Sequence, residues 1–392
     1  MITIPSSLLD SASPVGVHYL PASATHPPLR IFYPIEHSNQ ISAHGCVGWF
    51  DETGVVDYLE GYLHTMGLLQ GDSWASRWIV KPWLSLISLA LPLKWLRIPG
   101  VFRDSRPRLG QHPLVVFSHG LTGTGQENSA LCASWAKEGM VVVGVWHTDG
   151  SSSHVPLADG TKKYYESPPP ITQYDPHFRP QQVQKRAEEL FQARQFILDT
   201  SDKNATPLLQ QIRSTIDPNR VAVAGYSYGA ATVALTLVQT IGRKDYESSN
   251  LSQLPFQAAI LLDGWFHIDI QKSAGIEFEF PLEAFEHVQN KGSWPIPSLF
   301  LNSEQFHGDH KLFRATQKLA TAAKTQPIVL PGTGHQNFCD VIFWFPTSLL
   351  RRTMMGMIGE VEPLKAYQEM VDRSKDFLKH HLLRERPPAW TQ

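Results

Sequence analysis

The strongest chemical signal in the chain is a serine between two glycines, Gly225-Tyr226-Ser227-Tyr228-Gly229. An apolar run, residues 220–224, precedes this pentapeptide, and a run of small and apolar residues follows it. A strand that turns directly into a helix strains its central residue, and side chains at the flanking positions would collide with it. The pattern therefore predicts the nucleophile elbow of a serine hydrolase. An ordinary strand-to-helix loop is the alternative, because this spacing also arises by chance.

A serine hydroxyl becomes a good nucleophile when a base takes its proton and an acid orients that base. In enzymes with this elbow the acid follows the serine and the histidine follows the acid, each just beyond a strand. Asp263 directly follows the apolar run at residues 257–262, and His335 lies in a glycine-rich loop after the last predicted strand. We therefore predict Ser227 as nucleophile, Asp263 as acid and His335 as base.

The tetrahedral intermediate of acyl transfer carries a negative charge that aimed backbone N–H groups stabilise. The apolar strand predicted at residues 112–117 runs into a glycine-rich stretch, residues 118–125, where such enzymes place these donors. We predict the amides of Leu121 and Tyr228 as an oxyanion hole, with an ordinary turn as the alternative. The glycine spacing fits neither a phosphate loop nor a dinucleotide fingerprint.

Three further residues adjoin these positions in sequence and are candidates for the substrate pocket: His119, Trp265 and Gln336. His119 also competes with His335 as the base, but it precedes the elbow, so an architectural role in the loop is favoured. Asp269 is the rival acid, and we expect it to be solvated because it lies further from the strand end. No His, Cys, Asp or Glu spacing matches a metal site, and no metal or cofactor is expected.

Apolar runs of strand length alternate with helical patterns from about residue 112 onwards, which predicts an α/β fold with a mostly parallel central sheet flanked by helices. Residues before 112 are typical of an antiparallel opening to that sheet. Within the helical pattern at residues 181–199, Arg186 and Glu189 are placed mostly on the polar side, and we expect this helix to pack and do no chemistry. One domain is expected over residues 1–392, with pocket-side insertions at 149–180 and 271–295.

The 392 residues carry a formal net charge of -2, which argues against nucleic-acid binding because phosphate recognition requires a basic excess. Three cysteines at unrelated spacings fit neither a disulfide framework nor a zinc site and favour a reducing, cytoplasmic compartment. The first residues lack the basic and apolar regions of a secretory signal, and Ile2 does not permit N-myristoylation. We expect no signal peptide and no transmembrane segment.

Residues 74–96 contain four tryptophans together with Arg77, Lys81 and Lys94. Lys81 and two prolines interrupt this stretch, which makes its apolar part too short to span a bilayer. One interpretation is an interfacial segment in which Trp78, Trp83, Leu84 and Ile87 enter the lipid boundary. The other is a buried helix packed on the sheet. Peripheral association with a membrane or lipid particle is expected only under the first.

The chain resembles the platelet-activating factor acetylhydrolases of the plasma and intracellular type II kind, which have the α/β-hydrolase fold. The resemblance covers residues 30–382 and rests on five stretches in the family's order: residues 113–121, 225–232, 262–265, 297–304 and 335–338. It implies the same roles for Ser227, Asp263, His335, Leu121 and Tyr228. It also implies calcium-independent hydrolysis of the sn-2 acyl group of platelet-activating factor or of phospholipids with short or oxidised chains, and it favours the interfacial interpretation.

The elbow departs from the family's usual Gly-His-Ser-Phe-Gly, because Tyr226 and Tyr228 flank the serine here. Neither tyrosine is expected to supply catalytic side-chain chemistry, so the departure concerns the shape of the pocket. A carboxylesterase or phospholipase with another acyl preference is the nearest alternative function. A catalytically silent, lipid-binding hydrolase fold is the alternative from another class. Chain-length preference, head-group preference and oligomeric state do not follow from the sequence.

Overall fold

The structure is a computed structural model that describes the chain in twelve ranges. These are residues 4–5, 13–36, 46–52, 54–69, 79–90, 92–169, 175–242, 254–271, 276–292, 294, 296–353 and 356–386.

Ten strands of the described residues form one sheet, in the order β14-β13-β10-β9-β5-β6-β2-β1-β4-β3. Every pair from β14 to β6 is parallel, as is β1 with β4, whereas β6–β2, β2–β1 and β4–β3 are antiparallel. The strands are β1 (Val15–Leu20), β2 (Leu29–Pro34), β3 (Cys46–Gly48), β4 (Arg97–Arg103), β5 (His112–Ser118), β6 (Val141–Val145), β9 (Ile216–Tyr226), β10 (Ala258–Leu262), β13 (Ser298–Ser303) and β14 (Ile328–Leu330). Two separate hairpins pair β7 (His154–Pro156) with β8 (Lys162–Tyr164) and β11 (His267–Gln271) with β12 (Ile276–Glu279).

Helices cover both faces of this sheet. They are α1 (Gly54–Thr65), α2 (Lys81–Ala90), α3 (Ser129–Lys137), α4 (Phe178–Leu198), α5 (Pro207–Ser214), α6 (Tyr228–Gly242), α7 (Leu282–Lys291), α8 (Glu304–Gly308), α9 (His310–Ala322), α10 (Thr347–Thr353) and α11 (Pro363–Leu383). Short 3-10 helices span Pro92–Trp95, His335–Phe338 and Asp340–Phe343.

The central strands are apolar on both faces because each face has its own core. Val115 and Phe117 of β5 belong to a core shared with α3 and α11, whereas Leu114 and Val116 belong to a core shared with α4, α6 and α9. Successive side chains of a strand point to opposite faces, so a continuous Val and Ala run fills both cores. The parallel strands thereby bring their carboxyl ends to one edge of the sheet.

The predicted fold class is confirmed. The opening predicted as antiparallel is antiparallel at β1–β2 and β3–β4 but parallel at β1–β4. The two predicted insertions contain secondary structure: residues 149–180 include the β7–β8 hairpin, and residues 271–295 include β12 and α7. That residues 1–392 form a single domain stays a prediction. None of the helices in the described part of the chain combines the length and apolarity needed to cross a membrane.

Candidate active site

The elbow lies where β9 turns into α6. Ser227 has a φ of 57°, in the left-handed region that residues with a side chain rarely adopt. A β-carbon at Gly225 would lie 2.2 Å from the carbonyl oxygen of Gly229, and one at Gly229 would lie 2.1 Å from that of Ser118. Both flanking positions therefore require glycine, which is the physical reason for the pattern seen in the sequence.

The three predicted catalytic residues meet in one hydrogen-bonded array. His335 Nε2 lies 3.0 Å from Ser227 Oγ, and His335 Nδ1 lies 2.7 Å from Asp263 Oδ2. Asp263 is fully buried and also accepts hydrogen bonds from the amide and the hydroxyl of Ser303, each at 2.7 Å. The geometry fits proton transfer from serine to histidine, with a carboxylate that orients the imidazole. The catalytic roles themselves stay a prediction.

Two aromatic rings hold the imidazole of His335 in place. Phe306 stacks on it at 4.1 Å and 6°, and Tyr226 stacks at 4.9 Å and 27°. The Tyr226 hydroxyl also donates to the His335 carbonyl at 2.9 Å, and the His335 amide donates to Gln305 Oε1 at 2.8 Å. The departure at Tyr226 thus affects the orientation of the base. The roles of Phe306 and Gln305 were not predicted, because no local sequence pattern identifies them as neighbours of His335.

The two predicted oxyanion donors belong to segments that adjoin the nucleophile. Leu121 follows the end of β5, and the amides of the next two residues are used within the loop, by the carbonyls of Ser151 and Gly120. Tyr228 is the first residue of α6, where an amide has no intrahelical acceptor. Gly120 and Leu121 line the same cavity as Ser227. This arrangement suits two amides that converge on a developing oxyanion.

A second array of serine, histidine and acid lies behind this loop. Ser118 Oγ lies 2.8 Å from His147 Nε2, and His147 Nδ1 lies 2.8 Å from Glu189 Oε2. All three residues are almost completely buried, so no substrate reaches this serine. Burial lowers the pKa of His147 well below its usual value and raises the pKa of Glu189 to about 7. The array ties the end of β5 to β6 and α4.

The predicted placement of Arg186 and Glu189 on the polar side of α4 is wrong, because both side chains are buried. Arg186 is three positions from buried Val183 and four from buried Leu190, so helical spacing places it on the inner face. Arg186 Nη1 donates to the His119 carbonyl at 2.7 Å. The guanidinium therefore supports the loop that carries Leu121.

A cavity of about 330 Å³ opens beside Ser227 and His335, and its walls are mainly aromatic and aliphatic. Gln336 lines it as predicted, but among the described lining residues His119 and Trp265 do not appear. His119 is buried behind the loop, where its Nε2 accepts from the amide of His147, and Trp265 packs its ring 5.9 Å from that of Tyr228. The pocket prediction for these two is corrected accordingly.

The walls of the cavity come from parts of the chain that the sequence analysis did not connect with it. None of the described residues in 149–180 or 271–295 lines it, so the predicted pocket-side role of these insertions is also corrected. Residues 50–66 supply one wall and residues 339–353 the other, and the aromatic side chains among them are Phe50, Tyr58, Tyr62, Trp344 and Phe345.

One acidic side chain lines this largely apolar cavity. Glu127 is 7% exposed, and the hydroxyl of Tyr62 donates to its Oε1. Burial raises the pKa of Glu127 to about 7, because an ionised carboxylate loses its hydration there. A β-carbon at Gly123 would lie 2.5 Å from Glu127 Oε2, so the glycine leaves room for the carboxyl group. Among the described residues no group of three or more His, Cys, Asp or Glu is placed to hold a metal ion.

Comparison with known proteins accounts for the combination of elbow, triad and apolar cavity. A family model described as platelet-activating factor acetylhydrolase, isoform II, matches residues 13–390. The chain belongs to this family. The resemblance predicted from the sequence is thereby confirmed, and the protein is a carboxylic ester hydrolase.

Individual relatives are distant but cover most of the chain. The platelet-activating factor acetylhydrolase of Canis lupus familiaris is 27% identical over 373 residues, which are 90% of this chain and 71% of the relative. A putative phospholipase A2 of Schizosaccharomyces pombe is 23% identical over 395 residues, covering 90% and 83%. A ferulic acid esterase from Streptomyces cinnamoneus superposes with a TM-score of 0.58 at 19% identity, covering 98% and 93%, and shows the shared fold.

The crowded elbow of this acetylhydrolase-family chain predicts the effect of one methyl group. Gly229→Ala places a carbon against the Ser118 carbonyl. We expect the free energy of unfolding to fall by about 1–3 kcal/mol and the rate of ester hydrolysis to fall with it. Gly308→Ala is the control, because nothing lies within 4 Å of that added carbon. Urea unfolding and p-nitrophenyl ester turnover measure both. Equal behaviour of the two variants would contradict the crowding argument.

The raised pKa of Glu127 predicts a pH-dependent stability. The buried carboxyl keeps its proton from its ordinary pKa of 4.5 up to about 7, so its contribution to folding is full below pH 4.5 and is lost as pH rises through 7. Glu127→Gln cannot ionise. Between pH 5 and pH 8 we therefore expect its free energy of unfolding to rise by about 2–3 kcal/mol relative to that of wild type.

The control for this experiment is Glu283→Gln, which changes an exposed glutamate of α7. Urea unfolding of the three proteins at both pH values gives the comparison. If the difference in unfolding free energy between wild type and Glu127→Gln does not change with pH, the carboxyl does not titrate in this range.

Proposed function

We propose that the protein hydrolyses the sn-2 short acyl ester of platelet-activating factor-like phospholipids, acetyl or oxidised, through an acyl-enzyme on Ser227. The observation that carries the proposal is the Ser227–His335–Asp263 array at the wall of an apolar cavity. At about 330 Å³ that cavity is at the small end of the range for ligand pockets, which suits a short acyl chain. The relatives named as platelet-activating factor acetylhydrolases support the same substrate class.

In this mechanism Ser227 Oγ attacks the ester carbonyl while His335 Nε2 takes its proton. The amides of Leu121 and Tyr228 stabilise the oxyanion, and protonated His335 then donates its proton to the departing lyso-phospholipid oxygen. Water, activated by the same histidine, releases the short carboxylic acid. Asp263 stays ionised throughout and stabilises the imidazolium.

A second candidate keeps the array but accepts another ester. Glu127 bears on the long-chain form of this alternative, because a polar group at the cavity wall does not suit a long, purely apolar chain and is compatible with a short or polar acyl group. A catalytically silent, lipid-binding role fits less well. The left-handed backbone at Ser227 costs free energy that such a role would not require.

Turnover of phosphatidylcholines graded in sn-2 chain length tests the substrate class. We expect kcat/KM to fall steeply from acetyl to long chains, to be unchanged by a chelator, and to vanish in Ser227→Ala with the fold intact. A preference for long chains would favour a general phospholipase. Hydrolysis of soluble esters alone would favour a carboxylesterase, and unchanged turnover by Ser227→Ala would refute the mechanism.

We further propose that α2 and its surroundings bind a lipid surface. Trp83, Leu86, Ile87 and Leu89 are 47–65% exposed, and Met66, itself 67% exposed, also lines the cavity. Helix α2 packs against α1, which lines the cavity, and an exposed apolar patch near a substrate cavity is typical of an interfacial enzyme. Leu84 is 7% exposed and faces the protein, which corrects its predicted place at the interface. Trp78 lies outside the described residues.

A reducing, cytoplasmic site of action is part of the same proposal. Cys46, Cys132 and Cys339 are free, and burial raises the pKa of the Cys132 and Cys339 thiols. Disulfides are the usual device of small secreted domains, and unpaired buried thiols are more common in reducing compartments.

Liposome co-sedimentation tests the lipid surface. We expect Trp83→Ser with Ile87→Ser to bind phosphatidylcholine vesicles several-fold more weakly, because both side chains are exposed on α2. Leu109→Ser is the control, since Leu109 is 71% exposed but precedes β5, at the edge of the sheet opposite the active site. Equal binding by all three proteins would exclude α2 as the contact.

A further inference from the structure

The guanidinium of Arg186 lies directly behind the loop that carries Leu121. Arg186 is fully buried on α4, with Nη1 2.7 Å from the His119 carbonyl and Nη2 3.3 Å from the Gly120 carbonyl. Its Nε donates to Ser151 Oγ at 2.7 Å and lies 3.3 Å from Asp149 Oδ2. One cation therefore bridges two consecutive carbonyls of the loop.

The covalent geometry of the loop determines how this contact orients the Leu121 amide. The Gly120 carbonyl and the Leu121 amide belong to the same peptide unit, which is planar, and the only cis bond among the described residues is elsewhere, before Pro281. In a trans peptide the C=O and the N–H point in opposite directions. The Gly120 carbonyl also accepts from His119 Nδ1 at 2.8 Å and from the Gly123 amide at 3.2 Å. Arg186 supplies the charged member of this set of donors, which holds the carbonyl on the inner side and therefore directs the Leu121 N–H towards the cavity that Leu121 and Ser227 line together.

The same guanidinium also contacts the second half of the predicted oxyanion hole. It lies 4.8 Å from the centre of the Tyr228 ring, within the range of a cation–π interaction. The Tyr228 hydroxyl donates to the carbonyl of Arg179, two turns earlier on α4, at 2.9 Å. The carbonyl that shares a peptide unit with the Tyr228 amide is that of Ser227, and it accepts from the amides of Trp265 and Ala230.

Charge reinforces the geometry. Burial lowers the pKa of Arg186 and the neighbouring Asp149 opposes that shift, but a guanidinium keeps its proton at neutral pH. A cation hydrogen-bonded to a carbonyl polarises the whole peptide unit, and this strengthens the N–H at the other side as a donor. The interior is a medium of low dielectric constant, so the effect at the nearby oxyanion is larger than it would be in water.

We propose that Arg186 is a positioning residue of the oxyanion hole, which fixes and polarises the Gly120–Leu121 peptide and packs against Tyr228. This inference rests on the proposed function, since it presupposes acyl transfer at Ser227. Arg186 does not touch the substrate. It acts through the two amides that do, and its loss affects the transition state more than substrate binding.

The test uses Arg186→Met and Arg186→Lys in the full chain, with p-nitrophenyl acetate as substrate. Removal of one oxyanion donor costs about 10²–10³ in kcat, so we expect a fall of about 100-fold for Arg186→Met, with KM changed by less than about threefold. Arg186→Lys keeps the charge but cannot bridge both carbonyls, and we expect a fall of about tenfold.

Arg213 provides a matched control. It is also a buried arginine that bonds a carbonyl of α4, that of Phe196 at 2.7 Å, and it lies 4.5 Å from the Phe196 ring. It lines no part of the described catalytic cavity. We expect Arg213→Met and Arg213→Lys to change stability but to leave kcat of the folded protein within about threefold.

A transition-state analogue separates positioning from general damage. A trifluoromethyl ketone forms a tetrahedral oxyanion adduct with the nucleophilic serine, and its affinity should fall by the same factor as kcat/KM in the Arg186 variants. If Arg186→Met does not fold, the Arg186→Lys and Arg213→Lys pair carries the test. Arg186 variants with the kcat of wild type, or with a loss no larger than that of their Arg213 counterparts, would overturn the inference.

The proposed function is tested separately from the role of Arg186. A wild-type protein that does not hydrolyse esters, or a Ser227→Ala variant that still does, refutes the function whatever Arg186 does. An active wild type, an inactive Ser227→Ala and a fully active Arg186→Met refute only the positioning role.

Discussion

The close approach of two backbone segments beside Ser227 is the constraint on which the site depends. Ser227 sits in a left-handed conformation because β9 turns into α6 without a loop, and Gly229 passes so near the Ser118 carbonyl that no side chain fits between them. The same crossing brings the end of β5, and with it Leu121, next to the nucleophile. Free energy stored in the strained turn is offset by the two apolar cores that clamp β5 and β9 from both faces.

Most of the fold and the triad could be predicted because both follow from periodicity and order along the chain. Strands buried on both faces appear as continuous Val and Ala runs, and a parallel sheet brings the ends of those runs to one edge. Once Ser227 marks that edge, Asp263 and His335 are found by their position after later strands, with no knowledge of distances. The rings of Tyr226 and Phe306 that hold His335 could not be found in this way, since their contact is made only by folding.

The cavity and its supports were predicted less well, for a related reason. Phe50 and Trp344 are almost three hundred positions apart, and their approach depends on how the outer helices pack, which no local pattern specifies. Arg186 is different, because its spacing from Val183 and Leu190 is that of a buried position, yet it was assigned to the polar side of the helix. Its charge suggested a solvated side chain, but a charged residue can be buried where the fold supplies hydrogen-bond acceptors, as it does for Arg186. Leu84 shows the opposite case: a segment that is apolar throughout does not reveal which residues turn inward.

The described residues include two arrays of serine, histidine and acid, which differ in their access to the cavity. Ser118, His147 and Glu189 have hydrogen bonds similar in length to those of Ser227 and its partners, but they are buried behind the loop. A search for catalytic templates by interatomic distance alone would therefore find both arrays in the described part of the chain. A serine-directed covalent reagent would count one, because a hydroxyl without a path to solvent is chemically silent. In such a fold, the number of reagent molecules bound per protein counts active sites more reliably than interatomic distances do.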